Sequence, residues 1–482
     1  MENQTDLPES SVRVDSTEES LARFDAEYSA DPSKRARIGE IHFEVLLPPV
    51  SKLKRLKKLQ NSKESAANDA AFTRAFAALF SRLATWEPRS SGWGVKLVLS
   101  TRSLNDDIIR QLVASGELHQ VHNEFGPPIW EIRDEYRYIG LSPGGEDDGF
   151  WPLPQVACVS ELVFGPDCSS TIHPSALVAL SCALTAVEKL EWRLAMPGRR
   201  LMADRREIRS ALAHGLHHAD FAPTLEDLTI YLWDEDPNNE EFEPGSFKGE
   251  DEESGMDDLS LAVRRICQLP SLRKLHLDGL WILTPVTFGA HPSLPSLYCP
   301  SLEHLIIDCA RTTPDGEWML TGDPELGIGD DRYDGNCTVE DDPAAFDSDD
   351  SDTSDYAPEF EWEWEDGEIP GIWYRFRPET AYEALLQSFV DGAVCMPCLH
   401  IFDIHIGRNS RAPMRLVRHF PLRNEGLSEE GKVDHEKPYW EIYVWRNFDV
   451  SWKVPPGLVR ALTGPNGDGR VKTDLKVTLD IL

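Results

Sequence analysis

Four groups of residues have the types and spacings that chemistry uses. Cys395-Met396-Pro397-Cys398 has the Cys-x-x-Cys form of redox and zinc sites. Zinc needs two further ligands at a sensible spacing, and no second Cys pair is present. His400 and His405 fall on or beside an apolar strand pattern that starts at Leu399, so the motif reads as a junction with buried thiols. His214, His217 and His218 close a helical stretch before Pro223, and the four-residue step puts His214 and His218 on one face. The Glu-containing motif of zinc proteases is missing there, and the dipole at a helix C-terminus explains the histidines without a metal. Gly327, Gly329 and Gly335 lie among carboxylates that would repel a phosphate. The carboxylates of 321–371 are numerous, but a general acid needs a desolvated pocket, which a solvated acidic stretch does not supply. No kinase set appears in the chain. The expectation is no enzyme: no catalytic residue, no cofactor-binding residue and no metal ligand.

What remains is architecture. Leu272, Leu275 and Leu277 form a Leu-x-x-Leu-x-Leu phrase, in which the last two face the same side of a strand. Five further stretches match it: Val159/Leu162/Phe164, Val187/Leu190/Trp192, Leu225/Leu228/Ile230, Leu302/Leu305/Ile307 and Leu399/Phe402/Ile404. Between them lie helix patterns at 174–184, 203–218, 258–268 and 379–390. Strand and helix alternating in this way predict an α/β fold. Its form would be an irregular leucine-rich-repeat-like solenoid, a curved parallel sheet with outer helices and long disordered acidic insertions.

The expected organisation follows from composition. Residues 1–35 are polar and acidic and read as a disordered tail. Residues 36–150 form an N-terminal α/β unit, with a strand over 37–46, a Phe-rich helix from Ser65 to Trp86 and a strand over 93–99. The basic cluster from Lys52 to Lys58 reads as a solvated face. The array spans 151–311 with an acidic loop at 234–258, and 312–372 is an acidic, largely disordered insertion. Residues 373–482 hold the last repeat and a β-rich cap.

The net charge is −35, and the two acidic stretches carry most of it: −11 over 234–258 and −18 over 321–371. Such a balance disfavours direct nucleic-acid binding, which needs a basic face to release counterions. Nine cysteines, an odd number, read as reduced intracellular thiols. No apolar run approaches the roughly 20 residues of a membrane helix. The polar start is unlike a secretory leader. A cytoplasmic or nuclear location without membrane contact is the expectation.

Several stretches carry a resemblance: RARIGEIHFEVLLPPV at 35–50, the Phe-rich helix ending at Trp86, RDEYRYIGLS at 133–142 and LPSLRKLHLDGLW at 269–281. Together they resemble a group of filamentous-fungal proteins described as F-box or leucine-rich-repeat-like. That resemblance implies a repeat array that holds a protein substrate and a short helical module that docks a ubiquitin-ligase adaptor. Asp6-Leu7-Pro8-Glu9 has letters of the module's opening, but the SSVRVDSTEES that follows reads as too polar for a buried helix. The first expectation is therefore a non-catalytic protein-interaction scaffold, with a substrate-recognition subunit of a ubiquitin ligase second and a hydrolase or metal-dependent enzyme last. The partner is a protein of unknown identity. The residues expected to meet it are Arg273, Lys274, His276, Glu303 and His304 on exposed strand positions, with Trp362 and Trp364 in the acidic insertion. Phosphorylation of Ser348, Ser351 or Ser354 would add charge there.

Overall fold

The structure is a computed structural model that describes residues 10–49, 62–88, 94–103, 138–142, 153–164, 171–198, 201–234, 244–248, 256–321, 377–407, 414–419, 439–444, 455–463 and 470–472. The chain divides into two compact units. The first runs to Pro197 and takes in His218–Tyr231; the second holds Gly198–His217 and the described residues from Leu232 onward. Both are α/β, with mostly parallel strands and helices against them.

In the first unit, strands β1 (Ser10–Asp15), β2 (Ile38–Leu47), β3 (Val95–Ser103), β4 (Val159–Phe164), β5 (Lys189–Ala195) and β6 (Asp227–Trp233) neighbour one another in chain order. The pairings of β1 through β5 are parallel. Helix α3 (Ser62–Leu83) shows how the pattern becomes packing. Phe72, Phe76, Leu79, Phe80 and Leu83 fall on one stripe and are fully buried. Phe76 meets Phe43 of β2 edge-on, with ring centroids 5.8 Å apart.

The tail expectation needs correction over its described part. Besides β1, residues 10–36 form α1 (Glu18–Tyr28) and α2 (Pro32–Ala36). Thr17 caps α1 by accepting the Ser20 amide at 3.2 Å. Leu21 and Phe24, three apart, are buried, and Phe24 stacks on Trp86 at 5.6 Å. Arg82 of α3 donates to Asp25 at 2.9 Å. Three well-spaced apolar side chains, Val14, Leu21 and Phe24, are enough to hold a segment whose average composition is polar.

In the second unit, helices α5 (Met202–His218) and α6 (Asp258–Cys267) accompany strands β7 (Lys274–Trp281) and β8 (His304–Cys309); α4 (Pro174–Cys182) belongs to the first unit. After the short antiparallel pair β9 (Leu320–Thr321) and β10 (Arg377–Pro378) come α7 (Thr380–Val394), β11 (Ile401–Ile406), β12 (Met414–His419), β13 (Tyr439–Val444), α8 (Pro456–Thr463) and β14 (Arg470–Lys472). β7, β8 and β11 are parallel neighbours, β12 and β13 follow antiparallel, and β14 returns parallel to β13.

All six apolar phrases enter or lie on strands β4, β5, β6, β7, β8 and β11, and the four expected helices are α4 to α7. The Asp278-Gly279-Leu280 stretch shifts the register between Leu277 and Trp281. Gly279 has φ 104°, and a Cβ there would lie 1.9 Å from the Leu232 carbonyl oxygen, so only glycine fits. The bulge turns Trp281 fully inward.

Two boundary expectations also change. Residues 312–321 are part of the second unit, with Met319 and Leu320 buried and the Met319 amide bonded to Arg311 O, rather than the start of an insertion. The described parts of 234–258 are pinned as well. Arg205 and Arg209, one turn apart on α5, ion-pair with Asp234 and Asp257 at 2.6 and 2.7 Å. Both guanidiniums lie over Phe247, at 5.5 and 5.2 Å from its centroid. Asp257 also caps α6, accepting the Ser260 amide at 2.8 Å.

Candidate functional site

Strand alternation in the second unit sends one set of side chains inward and leaves the other on an open face. Leu275, Leu277, Leu305, Ile307, Phe402, Ile404, Ile406, Met414 and Leu416 are each at most 1% exposed. The residues between them form the rows of the face. Register aligns Lys274 with His304 and Ile401. It then aligns His276 with Ile306 and Asp403, and Asp308 with His405 and Arg415.

The first rows hold five of the residues singled out from sequence. Arg273 donates from Nε and Nη2 to Glu303 Oε1 at 3.0 and 2.7 Å, so those two satisfy each other across adjacent strand entrances. Lys274 and His304 share a row, and His276 lies 3.9 Å from Asp278. Ile401 is 42% exposed at the edge of the same row. Trp362 and Trp364 lie outside the described residues, as do Ser348, Ser351, Ser354, the basic cluster at 52–58 and residues 322–372 of the insertion.

The last row is the most organised, and sequence reading missed it. His405 Nδ1 lies 3.1 Å from Asp308 Oδ1, and Nε2 lies 3.0 Å from Asp403 Oδ1. These are ion-pair distances, with neither ring nitrogen making an aligned hydrogen bond. Arg415 completes the group, donating from Nε to Asp403 at 2.7 Å and from Nη2 to the other carboxylate oxygen. Asp308 and then Asp403 outweigh the opposing effect of burial and raise the His405 pKa to about 9. Burial works against ionisation of Asp403 too, but Arg415 and His405 outweigh it and hold its carboxyl well below the ordinary range.

Chemically, the arrangement is a neutral set of two anions and two cations. A protonated imidazole held between two carboxylates has no lone pair with which to act as a base. It can fix the ends of β8, β11 and β12 and present a rigid polar surface. The signal was present in the alternation Phe402-Asp403-Ile404-His405-Ile406, which phases Asp403 and His405 outward. The register joining them to Asp308 and Arg415 was not.

His214, His217 and His218 are exposed in the last turn of α5. Among the described residues, no group of three or more His, Cys, Asp and Glu side chains is arranged to hold a metal ion. The junction expected to bury its thiols does so incompletely: Cys398 is exposed and Cys395 partly so, while Met396 and Leu399 take the buried positions. The first unit's open face carries a charge ladder, with Glu40, Lys96, Glu161 and Lys189 in register across four strands. Lys96 reaches Glu40 at 3.2 Å. Burial opposes ionisation of Glu40, but Lys96 and His42 outweigh it and lower its pKa.

Comparison with known proteins gives no family. No family model matches the chain, and no curated protein or solved structure matches it either.

Proposed function

We propose that the protein is a non-catalytic protein-interaction scaffold, an irregular leucine-rich-repeat-like array that binds a protein partner across its open strand face. The observation that carries this reading is the separation of roles along each strand. Apolar residues of the repeated phrase make the core, and the residues between them make aligned, mostly polar rows that run from Lys274 to Arg415. A strand face of this kind is the surface repeat proteins use for partners. The His405 cluster supports a structural role for the last row, because its groups neutralise one another. The first rows supply the recognition chemistry: Lys274 and His304 beside the exposed Ile401. The ubiquitin-ligase receptor suggested by resemblance uses the same array but also needs an adaptor-docking module, and residues 10–36 are engaged with β2 and α3 instead.

The test is comparative capture from the native cells. Full-length protein is compared with a Lys274→Glu/His304→Glu variant and with an Ala384→Glu control on the exposed side of α7. A partner lost at least tenfold with the strand-face variant and kept with the control supports the reading. Identical captured sets in all three refute it. Recovery of a ubiquitin-ligase adaptor would favour the receptor.

A further inference from the structure

Cys299 and Cys395 are far apart in sequence and adjacent in the second unit. The Cys299 amide donates to the Cys395 carbonyl oxygen at 3.1 Å, joining the segment that leads into β8 to the C-terminal end of α7. Backbones held by a direct hydrogen bond fall within the Cα separations a disulfide spans, about 4.4–6.8 Å. The two thiols differ in access: Cys299 is fully buried, and Cys395 is partly exposed. Arg264 lies against the same place, its guanidinium donating to the carbonyls of Val286, Gly289 and Pro295 at 3.1, 2.9 and 2.9 Å.

We infer that Cys299 and Cys395 form an oxidisable pair, a modification site that takes a low-molecular-weight disulfide as its oxidant. Cys395, the accessible thiol, gives up its proton, and its sulfur attacks one sulfur of the small disulfide. The S–S bond of the oxidant breaks and one thiolate leaves. Cys299 then loses its proton and attacks the Cys395 sulfur, expelling the second small thiolate. Two protein thiols and one disulfide become one protein disulfide and two small thiols. Burial and then Cys395 push the Cys299 pKa up to about 12, so it is a poor first nucleophile and suits the resolving role. Arg264 partly offsets that shift, stabilising the Cys299 thiolate as it forms.

The competing product is a Cys395–Cys398 bond within the Cys-x-x-Cys motif, since Cys398 is the exposed thiol. The experiment treats the reduced full-length protein with oxidised glutathione, blocks remaining thiols and maps disulfides by mass spectrometry without reduction. The expected result is a peptide pair linked through Cys299 and Cys395, at least tenfold more abundant than the Cys395–Cys398 product. Cys398→Ser keeps the link, and Cys395→Ser abolishes it without disturbing a fully buried residue. A dominant Cys395–Cys398 bond, a persistent glutathione adduct on Cys395, or no disulfide at all would overturn the inference.

Discussion

His405 offers the sharpest energetic prediction. Its ring lies between Asp308 on β8 and Asp403 on β11, with Arg415 of β12 held by Asp403. The folded pKa of about 9 stands above the ordinary value of 6.5. A shift of that size corresponds to roughly 3 kcal/mol at 1.36 kcal/mol per unit, an upper bound because water at the rim screens the pair. The folded pKa exceeds the unfolded one, so this stabilisation is complete below pH 6.5 and is lost as pH rises through 9. His405→Gln removes the cation that lies beside the carboxylate of Asp308, which is 2% exposed. The variant should lose up to about 3 kcal/mol at pH 6 relative to the native protein, and the difference should shrink to under about 1 kcal/mol at pH 10. Urea denaturation at pH 6, 8 and 10, with NMR titration of the His405 ring, reads both quantities. A ring that titrates at or below 6.5, or a difference independent of pH, would refute the reasoning.

Four other substitutions and one double variant probe the rest of the architecture. Leu305→Ala should cost about 2–5 kcal/mol, because Leu305 is fully buried, whereas Ile306→Ala on the open face should cost under about 1 kcal/mol; denaturant titration separates them. Phe24→Ala should destabilise by about 3–5 kcal/mol and raise proteolytic cleavage within α1, since Phe24 is buried against Trp86. Arg209→Met should cost about 3 kcal/mol by leaving Asp257 buried without its partner, and Arg209→Met/Asp257→Asn should recover part of the loss in the same titration.

Much of the fold was legible because it is written in period and punctuation. The Leu275/Leu277 and Leu305/Ile307 pairs mark strands, the Phe72–Leu83 stripe marks a helix, and both appear where the pattern places them. Less legible was anything decided by a few residues against a polar background. Residues 1–35 read as a tail on composition, yet Leu21 and Phe24 anchor their described part. Arg205 and Arg209 each meet a carboxylate far along the chain, which the apolar pattern of 203–218 does not indicate. The His405 cluster required the register among β8, β11 and β12, which long intervening segments hide.

The measurement that bears most directly on the central claim is photocrosslinking of the partner complex. A crosslinking amino acid replaces His276 on the open strand face in one protein and Ala384 on the outer side of α7 in another. Crosslinking from position 276 to a protein partner, with none from 384, is the predicted result. Crosslinks from 384 alone would contradict the claim that the strand face is the binding surface.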